Sequence, residues 1–308
     1  MLKLPGTDLV VHELCLGGNV FGWGADEAGS REVLDAYRSH GGNFIDSADL
    51  YSEWKPGNKG GESEEIIGRW LKSQNRSDVV IATKVGLYSK RPGLTAENII
   101  AACNESLKRL QVDYIDIYYS HKDDDEVPME ETLGAYAQLI QEGKVRYIAA
   151  SQHSGARLQQ ALDIAKRDGL TSYIGLQNRY NLLDREPFES DQENVVVQNK
   201  LSAMPFYGLA RGFLSGKYRK GVTVESVRSA GVVEYQNDRG YQVLDTLLEV
   251  AKSRNSSPSA IALAWLRKNP AVSTPIASAR KVEQLEEIIE LVELTSDEAK
   301  LLDEASRI

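Results

Sequence analysis

Asp46, Tyr51, Lys84 and His121 stand at or just beyond the ends of three consecutive apolar runs, in the segments FIDSADLY, VVIATK and YIDIYYSH. A carboxylate, a phenol, an ammonium and an imidazole converging on one point are equipped to handle a substrate carbonyl. Hydride arriving at the carbonyl carbon leaves charge on the oxygen, which then needs a proton donor and a positive field. Tyr51 can give that proton. A free phenol titrates near 10, so a neighbouring Lys84 ammonium is expected to pull the tyrosine down, with Asp46 holding Lys84 charged and in place. His121 can hydrogen-bond the carbonyl oxygen and orient it. None of the four carries a hydride, so this chemistry requires a cofactor. Taken singly, each residue has a structural reading: Asp46 as a cap or turn former, Lys84 as its ion-pair partner, Tyr51 as packing, His121 as a turn residue. Only convergence separates the two accounts, and convergence depends on the fold.

Short β-branched or apolar runs recur along the chain, each followed by a longer stretch of helical periodicity, the mark of a parallel sheet. After a hairpin turning at PGTD, eight strands are predicted at 13–16, 43–46, 79–84, 114–119, 145–150, 172–177, 201–205 and 272–276. Helix starts are expected at Ser30, Ser63, Thr95, Thr132 and Ser154. The pattern favours an α/β (β/α)8 barrel over a doubly wound sheet. The GxGxxG of a dinucleotide-binding open sheet is absent, and GFLSGKY is one residue short of a P-loop, with Tyr218 where Ser or Thr would hold magnesium. In such barrels chemistry sits at the carboxyl ends of the strands, where the four residues lie. The segment 207–235 lacks clear periodicity and is long enough to fold over a ligand.

With 308 residues, 42% hydrophobic and 26% charged, the composition is that of an ordinary globular protein, and a barrel of this length forms one domain, 1–308. A formal net charge of −9 argues against a nucleic-acid surface. Cys15 and Cys103 read as buried thiols, consistent with a reducing cytoplasm. The opening residues hold no apolar run of signal-peptide type, and no stretch is long enough to span a membrane, so a cytoplasmic location is expected. One histidine beside the flexible carboxylates of HKDDDE supports no metal site. Ser278, Arg280 and the amino end of a helix near Lys281 can form an anion site suited to a phosphate.

The segments FIDSADLY, ATKVG and DIYYSH resemble the catalytic tetrad region of the aldo-keto reductases, in the same order. GKVRYIAAS, LQNRYNLL, LARGFLSGKY and PIASARKVEQLEE extend the resemblance over the whole chain. It implies a (β/α)8 TIM barrel with an N-terminal β-hairpin and extra C-terminal helices, binding NADPH or NADP+ across its mouth and acting on a small-molecule carbonyl substrate. By that resemblance Ser151, Gln152 and Gln177 would lie at the nicotinamide carboxamide, Phe206 would stack on its ring, and Gly18 and Asn19 would line the opposite side. Gly208, Leu209, Arg211, Gly212 and Lys217 would belong to the loop over the pyrophosphate. Ile276, Ser278, Arg280, Gln284 and Glu287 would serve the adenosine end, with its 2′-phosphate at Arg280. Trp23, Trp54 and Tyr88 would wall the substrate pocket. Three departures stand out: Gln152 where the family usually has Asn, Ile288 in place of the Asn that follows QLEE, and a loop after Tyr51, SEWKPGNKGGESEE, longer than the family's shortest version. The resemblance also admits a regulatory subunit similar to channel-associated members, and the fold admits a barrel enzyme of phosphate chemistry with Arg280 on substrate.

Overall fold

The computed structural model describes residues 1–222, 224 and 229–307. Two short antiparallel strands, β1 (Leu2–Lys3) and β2 (Val10–Val11), form the hairpin, with the turn closed by Leu4 and Leu9. Eight parallel strands follow: β3 (Cys15–Gly17), β4 (Phe44–Asp46), β5 (Val80–Val85), β6 (Ile115–Ser120), β7 (Val145–Ser151), β8 (Tyr173–Gln177), β9 (Ser202–Ala203) and β10 (Ile276–Ala277). They pair in chain order from β3 to β9, and β10 pairs with β3. The ring closes through the chain before β10, where Ser273 N donates to Ala203 O and Ile276 N to Pro205 O. This is a (β/α)8 barrel. Its outer helices are α1 (Glu27–Ser39), α2 (Glu62–Leu71), α3 (Ala96–Leu110), α4 (Met129–Gln141), α5 (Gly155–Asp168) and α6 (Glu193–Gln198). The short α7 (Ser229–Val232) precedes α8 (Asp238–Arg254), α9 (Pro258–Lys268), α10 (Val282–Ile289) and α11 (Ser296–Ser306).

Strand alternation builds the interior and aims the chemistry. Cys15, Phe44, Val80, Ala82, Ile117, Tyr119, Ala149, Met204 and Ile276 pack together inside the barrel, and Leu4, Leu9 and Val11 of the hairpin close its floor. Side chains alternate along a strand, so the position two beyond an inward residue faces the same way. Counting on from Cys15, Phe44, Ala82, Tyr119, Ala149, Gly175, Met204 and Ile276 gives Gly17, Asp46, Lys84, His121, Ser151, Gln177, Phe206 and Ser278. One residue per strand thus forms the top layer of the barrel. Between strands, residues such as Ile45, Ile81 and Tyr118 point outward into the larger core under the helices. Helix α2 lies so close to the end of α3 that a Cβ on Gly68 would sit 2.3 Å from Arg109 O, which only glycine permits.

Several local expectations need correction. The eighth strand is predicted at 272–276 but forms only at 276–277, because Pro275 has no N–H for a ladder bond. The seventh covers 202–203 rather than 201–205, for the same reason at Pro205. Thr95 and Ser154 do cap α3 and α5, accepting from Asn98 N and Arg157 N. Helix α1, however, is capped by Asp26, which accepts from Gly29 N, while Ser30 turns back onto Asp26 O. Gly61 precedes α2 at φ 89, freeing Ser63 to bond Gly18 O and Ser47. Pro128 opens α4, and Thr132 donates to Leu94 O. Ser30 and Thr132 lie one turn inside their helices, and Ser63 is the second residue of α2. Cys15 and Cys103 are free and buried.

Candidate active site

At the mouth, Lys84 is the hub. Its side chain is fully buried, and Nζ donates to Asp46 Oδ2 at 2.6 Å, to Ser47 O at 2.7 Å and to Tyr51 Oη at 3.0 Å. Parallel register places Asp46 opposite Ala82, so the next inward residue of β5, Lys84, reaches back to the carboxylate. Gln177 Nε2 donates to Asp46 Oδ1 at 2.9 Å, occupying the second carboxylate oxygen. Both partners of the buried pair are therefore satisfied, the condition for tolerating charge in a dry interior. Tyr51 stands on the turn after β4, with Tyr51 N bonded to Ala48 O, and its ring meets that of His121 edge-on at 6.0 Å.

The electrostatics correct one expectation. Lys84 does not bring Tyr51 below the ordinary phenol range: burial first, and the Asp46 carboxylate second, push the hydroxyl well above it. The ammonium 3.0 Å away is already spoken for by Asp46. Tyr51 therefore holds its proton, as an acid must before it acts. His121 goes the other way. Burial, reinforced by the Lys84 charge, depresses it well below the usual imidazole range, so the ring is neutral at neutral pH. A neutral imidazole presents one N–H donor and cannot compete with Tyr51 as a cationic acid.

Above these groups opens a cavity of about 950 Å³. Asp46, Tyr51 and His121 line it, as do Asn19, Trp23, Trp54, Ser151, Gln152, Gln177, Phe206, Gly208, Leu209, Arg211, Gly212, Ile276 and Ser278. Lys84 lies immediately beneath. The remaining sequence candidates sit off the wall. Gly18 packs against Ser63, where a Cβ would lie 2.8 Å from Oγ, and its neighbour Gly17 lines the cavity instead. Tyr88 is bonded through its hydroxyl to Lys59 O, and Leu87 takes the wall position. Lys217, Arg280, Gln284 and Glu287 lie away from the cavity wall; Gln284 Oε1 accepts from Arg280 N at 3.0 Å, ahead of α10, and the Arg280 stem covers Gly24. Within the 207–235 segment, positions 223 and 225–228 lie outside the described residues.

The loop after Tyr51 has a readable purpose. Ser52 Oγ donates to Phe21 O, and Asn58 Nδ2 to Gly22 O, pinning 52–58 to the turn that carries Trp23. Trp23 and Trp54 then meet edge-on at 5.6 Å, with Trp54 6.1 Å from the Tyr51 ring. Leu50 and Leu87 complete this side. Sequence reasoning does not find Leu50, Leu87, Arg179 or Gly231 in the wall. The signal for Leu87 and Arg179 is their place just past the ends of β5 and β8.

The opposite side suits a nicotinamide nucleotide. Ser151 is buried in the wall, and its Oγ has no hydrogen-bond partner among the described residues, so a ligand amide would satisfy it. Phe206 offers a ring face, and Gly17 keeps the floor open where a Cβ would fall 2.5 Å from Ser278 Oγ. Gln152 sits in the left-handed region at φ 53, and its Nε2 is drawn to His121 O at 2.9 Å. That bond braces His121 and ties down the longer Gln arm.

Beside the site, Asp49 is buried with neither carboxylate oxygen hydrogen-bonded among the described residues. Burial and the nearby Glu64 raise it to about 8, Glu64 having claimed the local cation through a 2.6 Å bond from Arg109 Nε. The native state thus holds a proton that the unfolded chain releases near pH 4, and folding becomes less favourable as pH climbs between those values. Asp49→Asn is expected to remove this dependence. Its stability advantage over the parent should grow with pH, by at most about 1.4 kcal/mol per unit, and level off beyond pH 8. Urea titrations at pH 5, 6, 7 and 8 read it directly, and parallel curves for the two proteins would refute it.

A profile of the Aldo/keto reductase family matches residues 13–307. The chain belongs to that family. Among its relatives, a Schizosaccharomyces pombe protein named as a voltage-gated potassium channel subunit beta is 35% identical over 98% of this chain and 91% of its own length. The uncharacterized oxidoreductase YrpG of Bacillus subtilis is 32% identical over 96% of this chain and 91% of its own. Aldo-keto reductase AMT2 of Alternaria alternata is 31% identical over 98% and 90%.

Proposed function

We propose that the protein is an NADPH-dependent reductase of aldehydes or ketones. The observation that carries this reading is the Lys84 ammonium bonded at once to Asp46 and to the Tyr51 hydroxyl, beneath a cavity that Tyr51 and His121 both line. When bound, NADPH supplies the hydride. This chain's residues supply the rest. His121, neutral, donates to the carbonyl oxygen and fixes its position against Tyr51 Oη. Tyr51 gives its proton to that oxygen as charge develops, and Lys84 then faces a phenolate at 3.0 Å, an ion pair that exists only after transfer. Asp46, held by Gln177, keeps the ammonium aimed. The Trp23, Trp54, Leu50 and Leu87 wall favours an acceptor with an apolar or aromatic substituent. The experiment is an NADPH-oxidation screen over aromatic, aliphatic and sugar-derived carbonyls, compared by kcat/KM. Absence of turnover with every class would overturn the reading.

Ser278, Arg280 and the start of α10 make the adenosine 2′-phosphate site in this account. Arg280→Ala should weaken NADPH about tenfold while leaving NADH within about twofold, a phosphate contact being a charge-assisted one. Fluorescence titration gives both constants, and an unchanged NADPH to NADH ratio would remove Arg280 from the role. The similarity to a channel beta subunit favours a second reading, a nicotinamide-binding regulatory subunit with little turnover. Sustained multiple turnover in the screen excludes it, and a single burst with retained nucleotide supports it.

A further inference from the structure

Between Asp46 and Tyr51, the turn after β4 carries a second carboxyl group that the reaction does not use. Asp49 is 2% exposed, and neither of its carboxylate oxygens has a hydrogen-bond partner among the described residues. Its backbone, by contrast, is fastened to the site: Asp49 N donates to Lys84 O at 3.2 Å, and Tyr51 N donates to Ala48 O at 3.2 Å. The start of the same turn is held from α2. Ser63 Oγ gives its one proton to Gly18 O at 2.8 Å, so Ser47 Oγ is the donor in the 2.9 Å bond between the two hydroxyls. Ser47 O is thereby set for Lys84 Nζ at 2.7 Å. A displacement at Asp49 thus reaches the strand that carries the ammonium, and Tyr51 two residues on.

Charge counting around Asp49 leaves it without a partner. The cations acting on it are Arg109 of α3 and Arg91 of the loop after β5, and the anion is Glu64 of α2. Glu64 is fully buried and accepts from Arg109 Nε at 2.6 Å and Thr83 Oγ1 at 2.5 Å. Arg91 grips Glu105 through both terminal nitrogens, at 3.0 and 2.6 Å, and Glu105 also lies 3.6 Å from Arg109 Nη1. Two guanidinium groups are therefore balanced by two carboxylates before Asp49 is counted. From β6 and α4 the groups that feel its charge are phenols: Tyr118, whose hydroxyl is likewise unpartnered among the described residues, and Tyr136. Gly60 and Gly61, each at φ 89, pass close by; a Cβ would lie 3.5 Å from Asp49 O on the first and 2.4 Å from Arg109 Cδ on the second. An ionised carboxylate here would have neither water nor a free cation, so Asp49 is buried as the neutral acid. We propose that Asp49 is a positioning residue for Tyr51 and Lys84: as the neutral acid it lets the 46–51 turn seat against β5, and on losing its proton it unseats that turn and stops reduction. The inference rests on the reductase reading above and adds to it a residue outside the tetrad that ties turnover to alkaline pH. Burial and Glu64 raise Asp49 to about 8, while Tyr51 keeps its proton well above the ordinary phenol range and His121 is already neutral, so neither of those two titrates in the same window.

The test is the pH profile of kcat and KM for carbonyl reduction, from about pH 6 to about pH 9.5, on the parent, Asp49→Asn and Glu64→Gln, with the fold checked by circular dichroism at each pH. Parent kcat should be level to about pH 7.5 and then fall by about tenfold per pH unit, the slope of a single ionisation, with KM moving less than about twofold. Asp49→Asn should stay level to about pH 9.5. Glu64→Gln removes the negative charge that keeps the proton on Asp49, so its bend should lie at lower pH. The same bend in Asp49→Asn, or an unmoved one in Glu64→Gln, overturns the proposal, as does a variant that loses kcat equally at every pH. A second arm needs no turnover. The chain has four histidines, and the His121 ring meets that of Tyr51 edge-on at 6.0 Å, so the ring-proton NMR signals of His121, assigned by their loss in His121→Asn, report where Tyr51 sits. They should shift with a midpoint at about pH 8 in the parent and hold still in Asp49→Asn. Absence of turnover at every pH with that shift intact would refute the reductase reading and support the positioning role. His121 signals that stay fixed across the same range in the parent would overturn the positioning role whatever the turnover.

Discussion

Replacing Tyr51 by Phe should lower kcat for carbonyl reduction by about a thousandfold, within the range general acid catalysis contributes, while Kd for NADPH moves by less than about twofold. The asymmetry follows from geometry. Phe keeps the ring that meets His121 and Trp54, so the pocket wall survives. What is lost is the hydroxyl, which burial and Asp46 keep protonated and which stands on the cavity within reach of Lys84. Loss confined to kcat, with KM little changed, is the signature of an interaction made in the transition state. Single-turnover hydride transfer in the variant, followed by NADPH absorbance, separates chemistry from release. A variant within tenfold of the parent would show that another group delivers the proton. His121 is the neighbouring alternative, but an imidazole kept neutral well below its usual range has one N–H to orient with and no surplus proton to give.

The sequence made the barrel legible because the inward and outward sets of each strand differ in kind. Phe44 and Asp46, or Ala82 and Lys84, share a parity, and only a strand of period two puts an apolar residue and a charged one on the same face in adjacent layers. Once eight such runs alternate with helices, the polar residue at the carboxyl end of each must look into the mouth. The same parity places Ser151, Gln177, Phe206 and Ser278. Less legible were features set by long-range contact. Gln152 lines the cavity, but its backbone at φ 53 and the bond from its Nε2 to His121 O are not readable from local sequence. Leu87 supplants Tyr88 in the wall because Tyr88 is committed to Lys59 across the loop. The protonation of Tyr51 reversed the simple expectation, since pairing with Lys84 is only one contribution and depends on how much of that cation Asp46 already uses.

Lys84→Met should both abolish reduction and cost about 3–5 kcal/mol of stability, the penalty for leaving a buried charge without its partner. The two effects have one origin but can be separated. Without the ammonium, Asp46 keeps the Gln177 bond to one oxygen and a long 3.5 Å bond from the Tyr51 hydroxyl to the other, Ser47 O loses its donor, and the carboxylate remains in a layer with Tyr119 and Cys15 below it. Adding Asp46→Leu removes the stranded charge. The double variant, with Leu and Met facing each other above an apolar layer, should regain most of the lost stability, as apolar replacement of buried ion pairs does. It should regain no activity, because nothing then stabilises the Tyr51 phenolate. Denaturant midpoints and turnover measured on the same three proteins decide it. If the double variant were as unstable as Lys84→Met, the loss would lie in the Ser47 and Tyr51 contacts rather than in the buried carboxylate. If it recovered turnover, the ammonium would have no part in the chemistry. Recovery of stability alone would show that the buried ion pair, costly to leave half-made, is retained in this barrel for the proton it helps to move.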